Sequence, residues 1–577
     1  MFGLPAYHMA VVHLVLVIGL VTVCFFYNYV FPKRPVNLLV LVIALSILPV
    51  LSQFRKGDYN GGLYQNASFA AGFFDSLSEG NLIPRWAERL DTYFGYPAYI
   101  FMYHTPFYIS SVFHLLGFSF VNSVKLTFVF SYILSGVSMW FFVKDKLSGW
   151  GTFLSVVLYQ FAPYRFIDMY FRLDVGEAVA FAFMPLPFYC IDKYADTKKP
   201  KYLFWGSVFT AILILSHPAL SVMTVGLSLL YVVWMRKWTG ILPVVSGALL
   251  SAYYWFPIIW EAPVSQIKAY TQGEMIAGVT YIKFGELIFS PWRWGLLFQG
   301  NNAELAFVMG YGAVVVLLMG MGKIFNKPSR QLVFWFLACW ASIFMMLQIS
   351  KPLWQVIPLI NNFQFSWRFL ALLALATSVL GGIVVNKKSG YIAIIIASIT
   401  VLGSVLNWGH RESSPIVISD AKLREIMPTQ ARISQTGFPQ ALPIWIDLKN
   451  QWGDRNISGP IEILSGKADV RQIFRNSTKH VYELDLKEAS VFKENTYYYP
   501  GWRLMVNGKQ KDIEYQDKNF PGVMKFSLEP GRYTTELKFG NSPDRNLSLF
   551  VSAITGIFLL GITGTPLLWS SFRSESH

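Results

Sequence analysis

Apolar runs of about twenty residues recur along this chain, and no other feature limits its fold so strongly. A helix of that length spans a bilayer core of roughly 30 Å, and inside lipid every backbone amide must find its partner within the chain. The runs predict membrane-spanning helices at 9–31, 36–53, 98–118, 124–143, 150–163, 178–192, 202–217, 219–235, 240–258, 304–322, 331–349, 368–385, 390–408 and 547–570. The predicted fold class is therefore a polytopic α-helical membrane protein.

Clusters of lysine and arginine between the runs predict which side of the membrane each loop faces, because basic residues are retained in the cytoplasm. Such clusters lie at 33–34, 198–201, 236–237, 323–330 and 387–388. The loops at 54–97, 163–177, around His217, 259–303, 350–367 and 409–546 are then extracytoplasmic. Lys144 and Lys146 conflict with this scheme unless one segment within 98–163 is re-entrant or this small cluster breaks the rule. About 13 crossings follow.

Residues 409–546 differ from the rest, because alternating patterns replace the apolar runs. HVYELDL (480–486) and YTTELKF (533–539) alternate with a period of two, and Asn507-Gly508, Pro521-Gly522 and Pro530-Gly531 mark turns. The pattern predicts an extracytoplasmic antiparallel β-sandwich. The chain then divides into a membrane domain at 1–408, a β-domain at 409–546, and a final transmembrane helix with a short cytoplasmic tail at 547–577.

Composition excludes several classes of function. The chain is 54% hydrophobic and only 14% charged, with a formal net charge of +15. The predicted soluble part shows no basic face, so the excess indicates cytoplasmic lysine and arginine rather than a nucleic-acid site. Cys24, Cys190 and Cys339 lie in or beside apolar runs and predict neither a disulfide nor a metal site. The sequence has no phosphate-binding loop, dinucleotide fingerprint or zinc-protease motif, which argues against ATP-driven transport and zinc hydrolysis.

The first extracytoplasmic loop, 54–97, is too polar to lie in lipid and too aromatic for a plain linker. Apolar side chains recur every four residues from 69 to 77, which predicts a helix over 67–77 lying along the membrane interface. The loop carries five carboxylates: Asp58, Asp75, Glu79, Glu88 and Asp91. Asp58 follows a predicted helix end and is the first candidate for a catalytic base. Solvated surface charges are the alternative interpretation.

APYRFIDMYFRLDVGE (162–177) holds a dense group of ionisable side chains near a predicted membrane boundary. The spacing predicts that Arg165, Asp168, Arg172 and Glu177 share roughly one helical face, with Asp174 beside them. Charges at this depth are costly unless they are paired or line a wet cavity, so they are candidates for function. Asp168 and Glu177 are candidate catalytic acids, and the other three are candidates for substrate binding. A salt-bridge network that fixes helix ends is the alternative.

Three further sites lie on the same predicted side of the membrane. His217 ends an apolar run, Arg368 opens another beside Trp367, and Trp292 and Arg293 form a similar pair. An arginine at the membrane boundary can bind a phosphate group through two parallel hydrogen bonds. All five residues are therefore candidates for substrate binding, with anchoring of helix ends at the interface as the alternative.

Five stretches of the sequence carry a resemblance. GNLIPRW with YFGYPAYIFMYHTPFY (80–108), APYRFIDMYFRLDVGEAVAFAFMPL (162–186), SHPAL (216–220) and FQFSWRFL (363–370) resemble the signature stretches of a family of prokaryotic polytopic proteins. That family is labelled "6-pyruvoyl-tetrahydropterin synthase-related" and is close to the YfhO-type membrane proteins. YYYPGWRLMVNGK (497–509) is similar to the outer β-domain of the YfhO type. These families in turn resemble the GT-C superfamily of glycosyltransferases.

The resemblance implies a GT-C-like membrane domain in the prokaryotic cytoplasmic (inner) membrane, with its active site on the extracytoplasmic side. It also implies a polyprenyl-phosphate-linked sugar donor, a glycan or lipid acceptor, and a base in the first outer loop. Similar proteins often carry an Asp and a His about twenty residues before the PRW motif. Here NGGLYQN (60–66) has neither, so Asp58 is the nearest acid.

The leading hypothesis is an inverting glycosyltransferase, in which a carboxylate takes the proton of the acceptor hydroxyl and cations stabilise the leaving lipid phosphate. No cofactor is certain, and a divalent cation is left open. The expected partners are the donor, the acceptor and membrane lipids, with no nucleic acid. One alternative is a flippase or transporter for a lipid-linked glycan, which predicts charges or broken helices at mid-membrane. The other is a non-catalytic assembly protein of the cell envelope.

Overall fold

The computed structural model describes residues 6–31, 33–34, 36–57, 62–267, 281–289, 307–357, 360, 363–385, 390–405, 408, 417–430, 439–446 and 459–574. Helices make up most of this part of the chain, and a β-sheet region lies between residues 461 and 539, before the last helix. Three residues proposed for the site, Asp58, Trp292 and Arg293, lie outside the described residues.

Several helices begin where a polar side chain satisfies the free amides of the first turn. The side chains of Asn37, Ser119, Ser148 and Ser329 each accept such a hydrogen bond at the start of an apolar helix. The first eleven described helices are α1 Ala6–Val30, α2 Leu38–Val50, α3 Gly62–Ser78, α4 Ala98–Phe101, α5 Thr105–Leu115, α6 Phe120–Val143, α7 Gly149–Gln160, α8 Pro163–Ile167, α9 Val175–Phe183, α10 Pro185–Thr197 and α11 Pro200–Ser216. The others are α12 Pro218–Met235, α13 Ile241–Leu250, α14 Ala252–Glu261, α15 Phe284–Ile288, α16 Tyr311–Asn326, α17 Arg330–Met346, α18 Lys351–Val356, α19 Phe369–Val384, α20 Gly390–Ser404, α21 Asp420–Gln430 and α22 Pro543–Ser574.

Within the described residues, five helices are long and apolar enough to cross a membrane: Phe120–Val143, Val175–Thr197, Pro218–Met235, Ser366–Val384 and Pro543–Thr563. Two bent pairs, Trp238–Leu250 with Ala252–Val264 and Arg330–Met346 with Gln348–Val356, raise the number to seven if each pair is one span. Shorter apolar helices lie at Val11–Leu20, Leu38–Phe54, Pro200–Ser216, Tyr311–Asn326 and Gly390–Ser404. The total of about 13 crossings stays a prediction.

The helix bundle has a β-domain end, which carries the C-terminal sheets, and an opposite end. At the opposite end Asp192 forms an ion pair with Lys146 and lies 2.9 Å from Nζ of Lys237. Asp145 pairs with Lys193 over 2.6 Å at the same end. Lys146 therefore lies beside a basic cluster that is predicted to be cytoplasmic. Two full crossings between 98 and 143 would instead place Lys146 on the other side of the membrane.

Helix α5 explains this arrangement, because it starts and ends at the β-domain end of the bundle. At its start, the backbone amide of His104 donates to the carbonyl of Leu215, three residues before α12 begins. At its finish, His114 stacks on Phe120 with ring centroids 3.8 Å apart and lies 3.9 Å from Asp420 of α21. The segment 98–118 thus agrees with the re-entrant alternative and not with a crossing.

Eight strands in the described part of the chain form two antiparallel sheets. The strands are β1 Ile461–Ser465, β2 Ala468–Asn476, β3 Lys479–Leu486, β4 Ser490–Tyr497, β5 Trp502–Val506, β6 Lys509–Lys511, β7 Val523–Leu528 and β8 Gly531–Phe539. The order is β1-β4-β7 in one sheet and β2-β3-β8-β5-β6 in the other. Both alternating stretches lie in strands, and the Asn507-Gly508 turn joins β5 to β6, so these predictions are confirmed. The described part of 409–546 also contains the helix α21, so the sheets occupy only its later part.

The first outer loop and the β-domain are held together by polar contacts. Arg475 donates from Nε to Glu88 over 2.8 Å, and the Tyr497 hydroxyl donates to Asp91 over 2.8 Å. The predicted helix at 67–77 is present as part of α3. Most of its side chains are buried by α5, α6 and α21, and its predicted place along the membrane interface stays a prediction.

Candidate functional site

The stretch 162–177 folds as separate short pieces instead of one helix. Helix α8 is followed by a π-helical turn at Asp168–Arg172, and Leu173 then takes a left-handed conformation with a φ of 53°. Asp174 caps α9, because its side chain accepts the backbone amide of Glu177 over 3.0 Å. The predicted single helical face is therefore wrong. Wide turns of this kind are frequent at functional sites.

Arg165 makes no ion pair with the charged side chains with which the sequence grouped it, although it lines a small cavity together with Asp168. Its Nη1 donates to the Ser135 hydroxyl over 2.6 Å. The guanidinium carbon lies 4.7 Å from the ring centroid of Tyr132 and 4.8 Å from that of Phe181. These cation–π contacts satisfy a buried charge and stabilise the packing of α8 between α6 and α9. The predicted substrate-binding role of Arg165 gains no support from this position.

The other predicted side chains converge around Glu177, which is completely buried. Glu177 Oε1 lies 3.0 Å from Arg172 Nη1 and accepts a hydrogen bond from Arg368 Nε over 2.8 Å. Its Oε2 accepts one from the Tyr164 hydroxyl over 2.5 Å. Both oxygens are therefore engaged within the protein. We call the set that surrounds Glu177 the charge cluster: Asp168, Arg172, Asp174, Glu177, His217 and Arg368.

Arg172 lies at the centre of the charge cluster and near its opening. It binds Asp168 and Glu177, and its Nη2 donates to Asp174 over 3.1 Å. Its guanidinium carbon lies 4.4 Å from the ring centroid of Trp367. The side chains of Arg172 and Asp174 each retain 14% of their exposure, so they form the accessible side of the cluster.

Trp367 is part of an aromatic wall beside Arg172. Phe307 stacks on it with centroids 4.4 Å apart, and Phe365 lies at 4.6 Å. Phe307 is followed by Val308, which lines a cavity of about 60 Å³ between α7, α16 and α20. Most residues around that cavity are apolar, among them Leu158, Phe161 and Ile399. The lining of an apolar cavity thus begins one residue beyond the aromatic wall along the chain.

Arg368 is held mainly by groups of the protein itself. The 3₁₀ turn Ser366–Arg368 brings it to the start of α19, where Nη1 donates to the carbonyl of Phe363 over 2.7 Å and to Gln364 Oε1 over 3.0 Å. Its Nε is used by Glu177, so Nη2 is left for a ligand. A phosphate clamp with two bonds would require one of these contacts to open, and the predicted clamp stays a prediction.

His217 links the loop between α11 and α12 to the cluster. Its Nδ1 accepts the backbone amide of Leu220 over 3.3 Å and so caps α12. Burial lowers the pKa of His217 to about 4, against the opposing effect of Asp174 and Glu177, so the imidazole is neutral near pH 7. The proton of the neutral ring then lies on Nε2, which is 3.8 Å from an oxygen of each of these carboxylates. His217 therefore faces the cluster as a hydrogen-bond donor, not as a base.

Asp168 decides the net charge of the cluster. Burial raises its pKa well above the usual range, and the neighbouring charge of Glu177 raises it further. Its Oδ1 binds Arg172, while the buried Oδ2 has no hydrogen-bond partner within the described structure. A proton on Oδ2 leaves two carboxylates, Asp174 and Glu177, to balance the guanidinium groups of Arg172 and Arg368.

Asp174, Glu177 and His217 also have the spacing of a metal site. One ligand atom from each lies within 4.8 Å of the others, and oxygen and imidazole nitrogen are suitable donors for a divalent cation. However, the Glu177 carboxylate already binds two arginines and a tyrosine, and His217 uses Nδ1 as a helix cap. The donors as they stand fit a metal ion poorly, and no step below uses one. A divalent cation stays a prediction.

The described residues next to Asp58 border the cluster. Gly62 opens α3, and a Cβ atom on it would lie 3.3 Å from the Leu173 side chain. Asn66 donates from Nδ2 to the carbonyl of Leu173 over 2.9 Å. Helix α3 thus begins against the loop that carries Asp174. Sequence reasoning missed Tyr164. The signal was its position within the stretch 162–177, together with the need of a buried tyrosine hydroxyl for a hydrogen-bond partner.

Comparison with known proteins gives weak similarities. No protein-family model matches the chain. An uncharacterized protein of Lactococcus lactis subsp. cremoris (strain MG1363) is 24% identical over 251 residues, which are 40% of this chain and 40% of that protein. The structure of the arabinofuranosyltransferase AftD from mycobacteria matches with a TM-score of 0.41 and 13% identity over 65% of this chain and 27% of that chain. The chain spans less than half the length of either protein, and neither similarity assigns it to a family.

Proposed function

We propose that the protein is a membrane glycosyltransferase that moves a sugar from a polyprenyl-phosphate-linked donor to a glycan or lipid acceptor. The observation that carries the proposal is the charge cluster. Three carboxylates, two arginines and a histidine from four chain segments meet at the β-domain end of the bundle, beside an aromatic wall and an apolar cavity. Lipid phosphates and their sugars meet at the boundary between apolar and polar surroundings, and the cluster lies at such a boundary.

The free energy that it costs to bury these charges supports a functional role for the charge cluster over a purely structural one. Buried ion pairs often stabilise a protein no better than apolar residues of similar volume, because desolvation offsets the attraction. Charged groups retained near the ends of membrane helices are therefore functional candidates. A structural network would not need Arg172 and Asp174 to remain partly accessible, as they are here.

The proposed reaction is a single displacement with inversion. The acceptor hydroxyl oxygen attacks the anomeric carbon while its proton moves to a carboxylate. The bond between the anomeric carbon and the phosphate oxygen breaks, and its electron pair stays on the lipid phosphate. Arg172 is the best-placed cation to stabilise that charge, because its side chain is the more accessible of the two arginines.

Asp58 and Asp174 are the two candidates for the base. Glu177 is fully hydrogen bonded, and Asp168 is favoured in its protonated form. Asp174 is ion-paired but partly accessible. Asp58 belongs to the first outer loop, where the resemblance to the GT-C superfamily implies the base, and it remains the first candidate because Asp174 also serves as the cap of α9.

The arrangement of charges favours an enzyme over a transporter. In the described spanning helices, charged side chains lie at the ends, as Glu177, Arg368 and Arg545 do. A transporter needs polar groups or broken helices near mid-membrane. The two bent pairs are breaks of this kind, so the argument against a transporter rests on the charges alone. The test is to incubate the purified full-length protein with radiolabelled polyprenyl-phosphate sugars and glycan acceptors, and to measure donor movement in proteoliposomes in parallel. Sugar transfer supports the proposal, whereas donor movement without transfer contradicts it.

A further inference from the structure

A second group of buried polar side chains lies beneath the β-domain, where α14 ends and α22 begins. Glu261, the last residue of α14, accepts two hydrogen bonds from Arg545, from Nε over 2.6 Å and from Nη2 over 2.8 Å. Arg545 also donates to the carbonyls of Gly540 and Pro500. Arg545 therefore neutralises the single negative charge of this group.

Arg85, in the PRW motif, adds a second positive charge to this group, which Glu261 balances only in part because Arg545 binds both of its oxygens. Its side chain is 9% exposed, and it has neither an ion pair nor a hydrogen bond with the described part of the chain. Burial, together with the charge of Arg545, lowers the pKa of Arg85 to about 10. The guanidinium is still protonated near pH 7. Leaving a buried charge without a partner costs stability, so such a position indicates a binding role.

Two uncharged polar atoms near Arg85 also lack partners. The Nε2 atom of His104 lies 2.7 Å from the Tyr99 carbonyl and must donate to it, so the neutral ring leaves Nδ1 as an acceptor. That Nδ1 and the hydroxyl of Tyr254 are buried and have no hydrogen-bond partner within the described structure. The two rings lie 5.0 Å apart. Tyr108, whose ring centroid is 6.2 Å from that of His104, donates to the carbonyl of Leu82 over 2.5 Å and so holds the loop that carries Arg85 beside them.

We propose that Arg85, His104 and Tyr254 form a second binding site, which takes the phosphate and a neighbouring hydroxyl of a phospholipid headgroup. The guanidinium binds the phosphate oxygens, because it carries a positive charge that is balanced only in part. The imidazole acceptor and the phenol bind a hydroxyl next to the phosphate, such as that of a phosphoglycerol group. The site is separate from the charge cluster and does not depend on the proposed transfer reaction.

The surroundings of the site indicate a lipid as the source of this group. Both Glu261 and Arg545 lie at the ends of membrane helices that face the β-domain, which is the level of lipid headgroups. Ile259 and Trp260, beside Glu261, are 65% and 59% exposed, and Leu82 is 78% exposed. Exposed apolar side chains of this size beside a polar site fit acyl chains better than water.

The test compares lipid retention by the full-length protein and by two arginine variants. Each protein is purified in phosphatidylcholine nanodiscs with and without phosphatidylglycerol, and bound lipid is measured by native mass spectrometry after release. We expect Arg85→Met to lose at least about tenfold in phosphatidylglycerol retention. The matched control is Arg89→Met, because Arg89 belongs to the same loop but is 44% exposed and lies 3.8 Å from Asp75. It should retain lipid as the wild type does.

Thermal stability separates binding from a structural role. Without phosphatidylglycerol, Arg85→Met should be at least as stable as the wild type, because it removes an unpaired buried charge. Tyr254→Phe, which removes only the unpartnered hydroxyl, should fold normally and lose phosphatidylglycerol retention in part. Equal retention by wild type and Arg85→Met overturns the proposal, as does a clear loss of stability in that variant without lipid. If soluble glycerol 1-phosphate raises the melting temperature of the wild type and phosphatidylglycerol does not, the assignment to a lipid headgroup is overturned.

Discussion

Glu177 and Arg368 are separated by 191 positions in the sequence, yet Oε1 of the first accepts a hydrogen bond from Nε of the second over 2.8 Å. The pair joins the start of α9 to the start of α19, and both side chains are buried. Because Glu177 also holds Arg172, the pair fixes the position in which Arg172 and Asp174 face the opening of the charge cluster. The stability of the site and its proposed chemistry therefore depend on the same contact.

Breaking this pair from one side should be more harmful than removing both charges. Glu177→Gln or Arg368→Met leaves a buried partner uncompensated, at a cost of about 3–5 kcal/mol. The double variant should lose clearly less than the sum of the single losses, as measured by thermal unfolding of the purified protein in detergent. The control pair is Lys422 with Glu425, which is largely exposed and should give about 0–1 kcal/mol. Strict additivity at Glu177 and Arg368 would contradict the contact.

His217 combines two roles that a substitution can separate. Asparagine is a favourable residue at a helix start and can accept the Leu220 amide in place of Nδ1, but it cannot reproduce the Nε2 donor that faces Asp174 and Glu177. We expect His217→Asn to keep the melting temperature and to lose at least about tenfold in sugar transfer. His217→Ala should lose about 1 kcal/mol of stability as well. Normal transfer by the asparagine variant would show that His217 acts only as a cap.

The local patterns in this sequence predicted the elements well, and the long-range contacts poorly. HVYELDL and the Asn507-Gly508 turn specify β3 and the hairpin of β5 and β6, because alternation and turn chemistry act between near neighbours. The grouping of Arg165 with Asp168 and Arg172 relied on regular helix spacing. The π-helical turn and the left-handed Leu173 broke that spacing and left Arg165 among aromatic rings. The contact of Glu177 with Arg368 depends on tertiary packing, which no short pattern contains.

The β-domain should lose local stability in acid through Glu494. Burial opposes its ionisation, but Arg475 and His480 outweigh burial and lower the pKa of Glu494 from 4.5 to about 2. A lowered folded-state pKa means that the stabilising contribution is complete above about pH 4.5 and is lost as the pH falls towards 2. The protection factors of the β4 amides, which are exchange rates corrected for the intrinsic pH dependence of exchange, should therefore fall over this interval when measured by mass spectrometry. Glu494→Gln should remove that part of the pH dependence, and an unchanged profile would contradict the ion pair.

The contacts of Lys146 with Asp192 make a topology test possible. The structure puts the 144–146 turn at the same end as Lys237, and the basic clusters predict that this end is cytoplasmic. After replacement of the native cysteines, Lys144→Cys should react with a membrane-impermeant maleimide only in inverted vesicles, and Lys509→Cys only in intact cells. Labelling of both positions from the same side would contradict the two-ended arrangement.

Sugar transfer by carboxylate variants of the purified full-length protein shows whether the protein is a glycosyltransferase that uses a carboxylate as its base. Asp58→Asn and Asp174→Asn are compared with Glu425→Gln, an exposed acid on α21 that serves as the control. Loss of the base should lower turnover by about 10²–10⁴-fold while donor binding and the melting temperature are kept. We expect one of the two aspartate variants to show this loss and the control to transfer normally. Transfer at the wild-type rate by both aspartate variants, or no transfer by the wild type from any polyprenyl-phosphate sugar, would contradict this expectation.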